Sequence, residues 1–93
     1  MNFSIIIPTL NEEKTIEPCL SALQPLRSNC EIIIVDGGST DNTMVIAGTL
    51  ADKVVSSDKG RARQMNNGAK YASGNVLIFL HADTSLPENA LQL

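Results

Sequence analysis

The sequence predicts a three-layer α/β sandwich built on a mainly parallel sheet. Two observations predict it. Four short apolar runs, at residues 3–7, 32–35, 54–55 and 76–80, are rich in Ile and Val, and three of them are nearly continuous. Runs that do not alternate with polar residues suit strands covered on both faces. Between the runs lie segments with helical apolar spacing, so the order reads strand, helix, strand, helix, strand, helix, strand. Alternation at this spacing implies right-handed crossovers, with helices on both faces of the sheet.

The first run, Phe3 to Ile7, closes at Pro8. Ile16, Cys19, Leu20 and Leu23 then fall at i, i+3, i+4 and i+7, one apolar stripe on a helix. Thr15 is placed to cap it, Pro18 is tolerable in its first turn, and Pro25 ends it. The second run, Ile32 to Val35, stops at Asp36. Met44, Ala47 and Leu50 make a second stripe after the capping signals Ser39, Thr40 and Asp41. A short third strand, Val54–Val55, leads to a third stripe of Ala62, Met65, Ala69 and Ala72, small enough to pack closely on a sheet. Asn66, Asn67 and Gly68 would ordinarily signal a turn, but the spacing on either side favours continuous helix. Gly74 is expected to stop that helix before the last strand, Val76 to Leu80. The final stretch "TSLPENALQL" opens a fresh helix, with Pro87 near its start, so the sequence is expected to be part of a longer protein or a chain that needs a partner.

Ninety-three residues make at most one small domain or part of a larger one. A chain this size buries roughly 60–65% of the surface its unfolded form exposes, which allows a thin core. The net charge of -3 argues against a dedicated nucleic-acid binder, which would carry a basic surplus. Lys59, Arg61 and Arg63 form a local basic patch suited to a small anionic ligand. The N-terminal run lacks a basic leader and a cleavage site, and no stretch approaches the roughly 20 apolar residues that cross a bilayer. Cys19 and Cys30 fit no metal or redox spacing and read as reduced thiols of a cytosolic chain. Peripheral membrane association is left open.

Ligands of open α/β sheets bind beyond the carboxyl ends of the strands, and polar residues gather there. "PTLNEE" (8–13) follows the first strand, "DGGSTDNT" (36–43) the second, "DKGRARQMNNGA" (58–69) the third and "HADTSLP" (81–87) the fourth. Asp36 after four apolar residues can accept hydrogen bonds from a planar ligand edge, such as an imide or a ribose hydroxyl pair. It can equally cap its own turn. His81 and Asp83 are two apart, so in a continuing strand they project to the same side. A hard divalent cation takes oxygen ligands, and a diphosphate plus one carboxylate suits Mg²⁺. Asp83 can be that carboxylate, and His81 can ligate Mn²⁺ or donate to a ribose or phosphate oxygen. The bland alternative is an Asp that caps the last helix beside a partly buried His. Of the basic residues, Arg61, following Gly60, is the one expected to face a pocket; Lys59 and Arg63 are expected on a solvated face.

Together "SIIIPTLNEE", "EIIIVDGGSTDNT", "GRARQMNNGA" and "VLIFLHADT" resemble the nucleotide-sugar-binding half of inverting family 2 glycosyltransferases of the GT-A fold, a Rossmann-like sandwich. The resemblance covers nearly the whole chain, in order and in spacing. It is nearest to a bacterial subgroup that carries His-Ala-Asp where most relatives carry Asp-x-Asp. It implies that Pro8, Thr9 and Glu12 line the base and ribose pocket, and that Asp36 meets the pyrimidine imide of a uridine-type donor. Arg61 would lie beside base and diphosphate. Asp83 would bridge Mn²⁺ or Mg²⁺ to the diphosphate, and His81 stands where the first Asp usually stands, which leaves ribose contact and metal preference open.

An inverting transfer also needs a base to take the acceptor hydroxyl proton. No residue among the 93 is a good candidate, so residues 1–93 are expected to bind the nucleotide sugar while the full protein transfers it. The acceptor, lipid-linked or small, and a homo-oligomeric state stay open. Two other readings are weighed: a non-catalytic nucleotide-binding or assembly module, and a nucleotidyltransferase. The latter would want a Gly-rich basic loop after the first strand, where this chain has the acidic "PTLNEE".

Overall fold

The isoleucine runs become the centre of the sheet. In the computed structural model, which describes residues 3–82, β1 (Phe3–Thr9) and β2 (Cys30–Asp36) lie side by side. Two four-residue strands, β3 (Lys53–Ser56) and β4 (Val76–Phe79), flank them. Every pairing is parallel, in the spatial order β3-β2-β1-β4. Helices α1 (Ile16–Leu23), α2 (Thr43–Leu50) and α3 (Arg61–Lys70) make the connections.

Side chains alternate across a strand, and both faces are used. Ile5, Ile7, Ile32 and Ile34 pack with Ile16, Leu20 and Leu23 of α1 and Ala47 of α2. Ile6, Ile33 and Val35 point the other way, against Ala69 of α3 and Ala72 just beyond it. The six isoleucines of β1 and β2 are fully buried, each worth about 1.5–3 kcal/mol of transfer from water. This is the three-layer sandwich expected from the continuous apolar runs. Cys19 and Cys30 are buried in the α1 layer, and burial pushes the Cys30 thiol pKa up. Among the described residues, no helix is long and apolar enough to cross a membrane.

Four local expectations are corrected. Thr15 occupies the position before α1, but its hydroxyl does not cap the helix; it donates to the carbonyl and carboxylate of Glu12 instead. Pro25 does not end the coil abruptly, because α1 tightens into a 3₁₀ turn, Gln24–Leu26, that accommodates the proline. The buried face of α3 is Gln64 and Gly68, while Ala62 is exposed and Met65 only partly covered. A Cβ at Gly68 would sit 2.5 Å from Ile6 Cγ2 and 2.6 Å from Val35 Cγ2, so glycine is what allows α3 to lie close on the sheet. Asn66 and Asn67 stay helical, as expected. Gly74 lies past the end of α3 and is a close-approach residue, since its Cβ would meet Phe3 C at 2.6 Å. Asp83 and the helix expected over 84–93 lie outside the described residues.

The strand order locates a crevice. From β1 through α1, β2 and α2 to β3 the chain steps outward in one direction, with both helices on one face. Then α3 crosses the other face and delivers β4 to the opposite side of β1. The direction of winding therefore reverses between β1 and β4, and the carboxyl ends of those strands are where an open α/β sheet leaves room for a ligand.

Candidate functional site

Asp36 is the last residue of β2, opposite Thr9 in the ladder, and only 1% exposed. Its Oδ1 accepts hydrogen bonds from Thr9 Oγ1 (2.8 Å) and Ser39 Oγ (2.6 Å). Its Oδ2 accepts from the N–H groups of Gly38 (3.0 Å) and Ser39 (2.7 Å). Burial by itself would raise the pKa; the Ser39, Thr9 and Gly38 donors outweigh it and hold the carboxyl below the usual carboxylate range. Both oxygens thus serve the turn, whose Gly38 sits at φ 106°. The Asp36 carboxylate faces protein donors rather than open space, and it does not line the cavity described below.

The turn it orders is joined to the loop after β1. Asn11 N–H donates to Ser39 Oγ and Thr40 N–H to Asn11 Oδ1, each at 2.8 Å. Glu12 N–H donates to Thr43 Oγ1 at 2.8 Å. Asn11 adopts φ 54° to do this, a left-handed conformation that asparagine tolerates better than most residues.

A cavity of about 270 Å³ opens at the winding reversal. The end of β1 lines it with Pro8, Thr9, Leu10 and Glu12. The start of α3 lines it with Lys59, Gly60, Arg61 and Gln64, and the segment after β4 with His81 and Ala82. Five of the seven residues singled out from the sequence (Pro8, Thr9, Glu12, Arg61 and His81) therefore meet in one place. Lys59 joins them at the rim and is itself exposed, in keeping with a solvated face; Arg63 is exposed and does not line the cavity. Residues just ahead of a helix carry no periodicity, so nothing in the sequence separated Lys59 from Arg63. Gln64 was also missed. The only signal for it is its position four residues before Gly68 on the same helical face, where a mid-helix glycine marks close packing.

The electrostatics favour an anion at the α3 side of the cavity. Gly60 offers no capping side chain, so the first N–H groups of α3, the positive end of its dipole, stay available. Lys59 and Arg61 add two full charges there. Across the cavity, His81 offers an imidazole. A hard divalent cation completes its shell with oxygens of a bound diphosphate, so it needs no closed protein cage, and of the described residues lining the cavity His81 and Glu12 carry side chains able to ligate one. Among the described residues, no group of three His, Cys, Asp or Glu side chains is arranged to hold a metal alone.

The sequence pattern of glycosyl transferase family 2 matches residues 4–93. The chain belongs to glycosyl transferase family 2. This family 2 chain is 42% identical over 96 residues to a PGL/p-HBAD biosynthesis glycosyltransferase of Mycobacterium tuberculosis, a match covering 92% of the chain and 37% of that protein. It is 30% identical over 95 residues to the glucosyl-3-phosphoglycerate synthase of the same species, covering 90% of the chain and 29% of the synthase. The chain thus spans about a third of the length of the curated relatives it matches. Its fold is the α/β fold of GT-A glycosyltransferases. A crystal structure of the mycobacterial synthase with Mn²⁺, uridine diphosphate and glucosyl-3-phosphoglycerate superimposes with a TM-score of 0.80 at 29% identity, over 87% of this chain and 33% of that one. The structure of Staphylococcus aureus TarS 1–349 gives a TM-score of 0.83 at 27% identity, over 99% of this chain and 30% of that one.

Proposed function

We propose that residues 1–93 are the donor-binding portion of an inverting, metal-dependent glycosyltransferase that takes its sugar from a nucleoside diphosphate sugar of the UDP type. The observation that carries this is the meeting of Lys59, Arg61 and His81 at the winding reversal, around a cavity that also receives the open N-terminus of α3. Two cations and a helix dipole suit a diphosphate. The synthase of similar fold is crystallised with uridine diphosphate and Mn²⁺ or Mg²⁺, which supports the same ligand class here.

Each residue then has a part. Pro8, Thr9 and Glu12 line the nucleoside side, and Arg61 lies beside the diphosphate. Asp36 takes part in base recognition through the turn it holds, because a direct contact with a pyrimidine imide would require one of its four protein donors to let go. Asp83 would hold the divalent metal, and His81, in the place of the first Asp of the Asp-x-Asp pattern, would stand beside it as a second ligand or as a donor to a ribose or phosphate oxygen. When bound, that metal stabilises the departing nucleoside diphosphate by neutralising the charge that develops on it. The base that accepts the acceptor's proton is assigned to residues outside these 93.

Calorimetry on the full-length protein tests the assignment. Uridine diphosphate is expected to bind in the presence of Mn²⁺ and to weaken at least about tenfold on chelation, and Asp83→Ala is expected to remove the metal dependence. Binding that ignores both chelator and Asp83→Ala overturns the metal role.

A further inference from the structure

Gln64 is a polar side chain 4% exposed, and its amide makes three hydrogen bonds, each to a different part of the mouth. Nε2 donates to the backbone carbonyl of Thr9 at the end of β1 (2.9 Å) and to that of Val35 near the end of β2 (2.8 Å). Oε1 accepts from Gly60 N–H at 3.2 Å. Gly60 is held at φ 134° between Lys59 and Arg61. One side chain therefore links both central strands to the segment that carries both cations of the cavity. Among the described residues, neither Lys59 nor Arg61 makes an ion pair, so their placement over the strand ends follows from the backbone, and the backbone there is held by Gln64. The amide also has little room to move on the β2 side, where a Cβ on Gly37 would come within 2.9 Å of Gln64 Cδ.

The chemistry singles out glutamine. A carboxylate at this position would set its oxygen against two carbonyl oxygens, and an apolar side chain of equal size would take from both carbonyls the donor that Gln64 supplies, leaving Thr9 O with the Gly37 N–H alone. Either change releases the start of α3 from the strand ends. Attraction between the two cations and a ligand diphosphate falls with distance and so depends directly on where α3 begins, whereas the loops after β1 and β2 are also held to each other by Asp36, Ser39 and Asn11.

Resting on the donor-site reading above, we propose that Gln64 is the positioning residue that makes this site prefer a nucleoside diphosphate to a bare nucleoside, by holding the Lys59–Arg61 segment against the ends of β1 and β2.

The test is a pair of titrations of the full-length protein, with uridine diphosphate and with uridine, in the presence of Mn²⁺. In the wild type the diphosphate binds more tightly. Gln64→Met and Gln64→Glu are each expected to weaken uridine diphosphate by about 10- to 100-fold and uridine by no more than about threefold, with melting temperatures recorded to confirm that each variant is folded. Two variants of opposite polarity guard against one of them failing to fold. Equal losses for both ligands, or no loss for either, overturn the proposal while the donor-site reading stands. A wild-type protein that binds neither ligand overturns the donor-site reading itself, and the proposal with it.

Discussion

The two ends of the β1–β2 pair carry the same device in different surroundings. At the amino end Ser4 stands opposite Glu31, and its hydroxyl donates to the carboxylate at 2.6 Å. At the carboxyl end Thr9 stands opposite Asp36, and its hydroxyl donates at 2.8 Å. Both carboxylates are buried to within 2%. Glu31, however, also receives the Lys53 ammonium at 3.1 Å and the N–H and hydroxyl of Ser73, while Ser4 accepts from Gly74 N–H at 2.8 Å. That end ties the α3–β4 connection to the sheet. Among the described residues Asp36 receives no cation, only hydroxyls and the N–H groups of its own turn. Charge compensation at one end fixes the fold; neutral donors at the other end shape a loop beside the cavity.

Acid should break the comparison most. Burial acts to raise the Glu31 pKa, but the bonds from Ser4, Ser73 and Lys53 outweigh it and bring it to about 2, against 4.5 for a free carboxyl. A lowered folded-state pKa stabilises above the unfolded value and is lost as pH falls through the folded one. Unfolding free energy is therefore expected to drop by about 3 kcal/mol between pH 4.5 and 2 on account of this group, a slope that urea denaturation at stepped pH measures. Glu31→Gln is expected to cost about 2 kcal/mol at neutral pH, because an amide N–H₂ would face the Lys53 ammonium. The same variant should flatten the acid slope and leave affinity for uridine diphosphate unchanged. Asp36→Asn should be the mildest for stability, about 1 kcal/mol, since the Thr9 and Ser39 hydroxyls can turn to accept from the new amide. Its larger effect should fall on uridine diphosphate affinity, measured by calorimetry. An Asp36→Asn protein as unstable as Glu31→Gln would mean that the two ends are equivalent after all.

Much of this arrangement was legible in the residues. Continuous runs such as Ile5–Ile6–Ile7 signal a strand covered on both faces, and the Ile16, Cys19, Leu20, Leu23 stripe is buried as its spacing requires. The rule that ligands gather at strand ends brought Pro8, Thr9, Glu12, Arg61 and His81 to one cavity. What failed to show was polar burial. Reading hydrophobicity places Gln64 outside and Ala62 inside, because it cannot see that two strand-end carbonyls accept from the Gln64 amide. Gly68 and Gly74 look like breaks, yet their missing Cβ atoms are contacts with Ile6, Val35 and the start of β1. Asp36 stood balanced between turn and ligand in the sequence because the same side chain serves both chemistries. Only its four donors tell which oxygen goes where.

The paired carboxylates also answer a question that the apolar core leaves undetermined. Ile5–Ile6–Ile7 lies beside Ile32–Ile33–Ile34, and a slip of two residues would keep the same faces inward and much of the same apolar contact, since side chains repeat every second residue. Isoleucine against isoleucine is a poor ruler. Ser4 and Thr9 are spaced as Glu31 and Asp36 are, so both polar pairs close in one alignment only. Any slip would strand two buried carboxylates at once. The alignment of the whole sheet, and with it the height of every residue at the cavity's rim, is thus keyed by two hydroxyl groups.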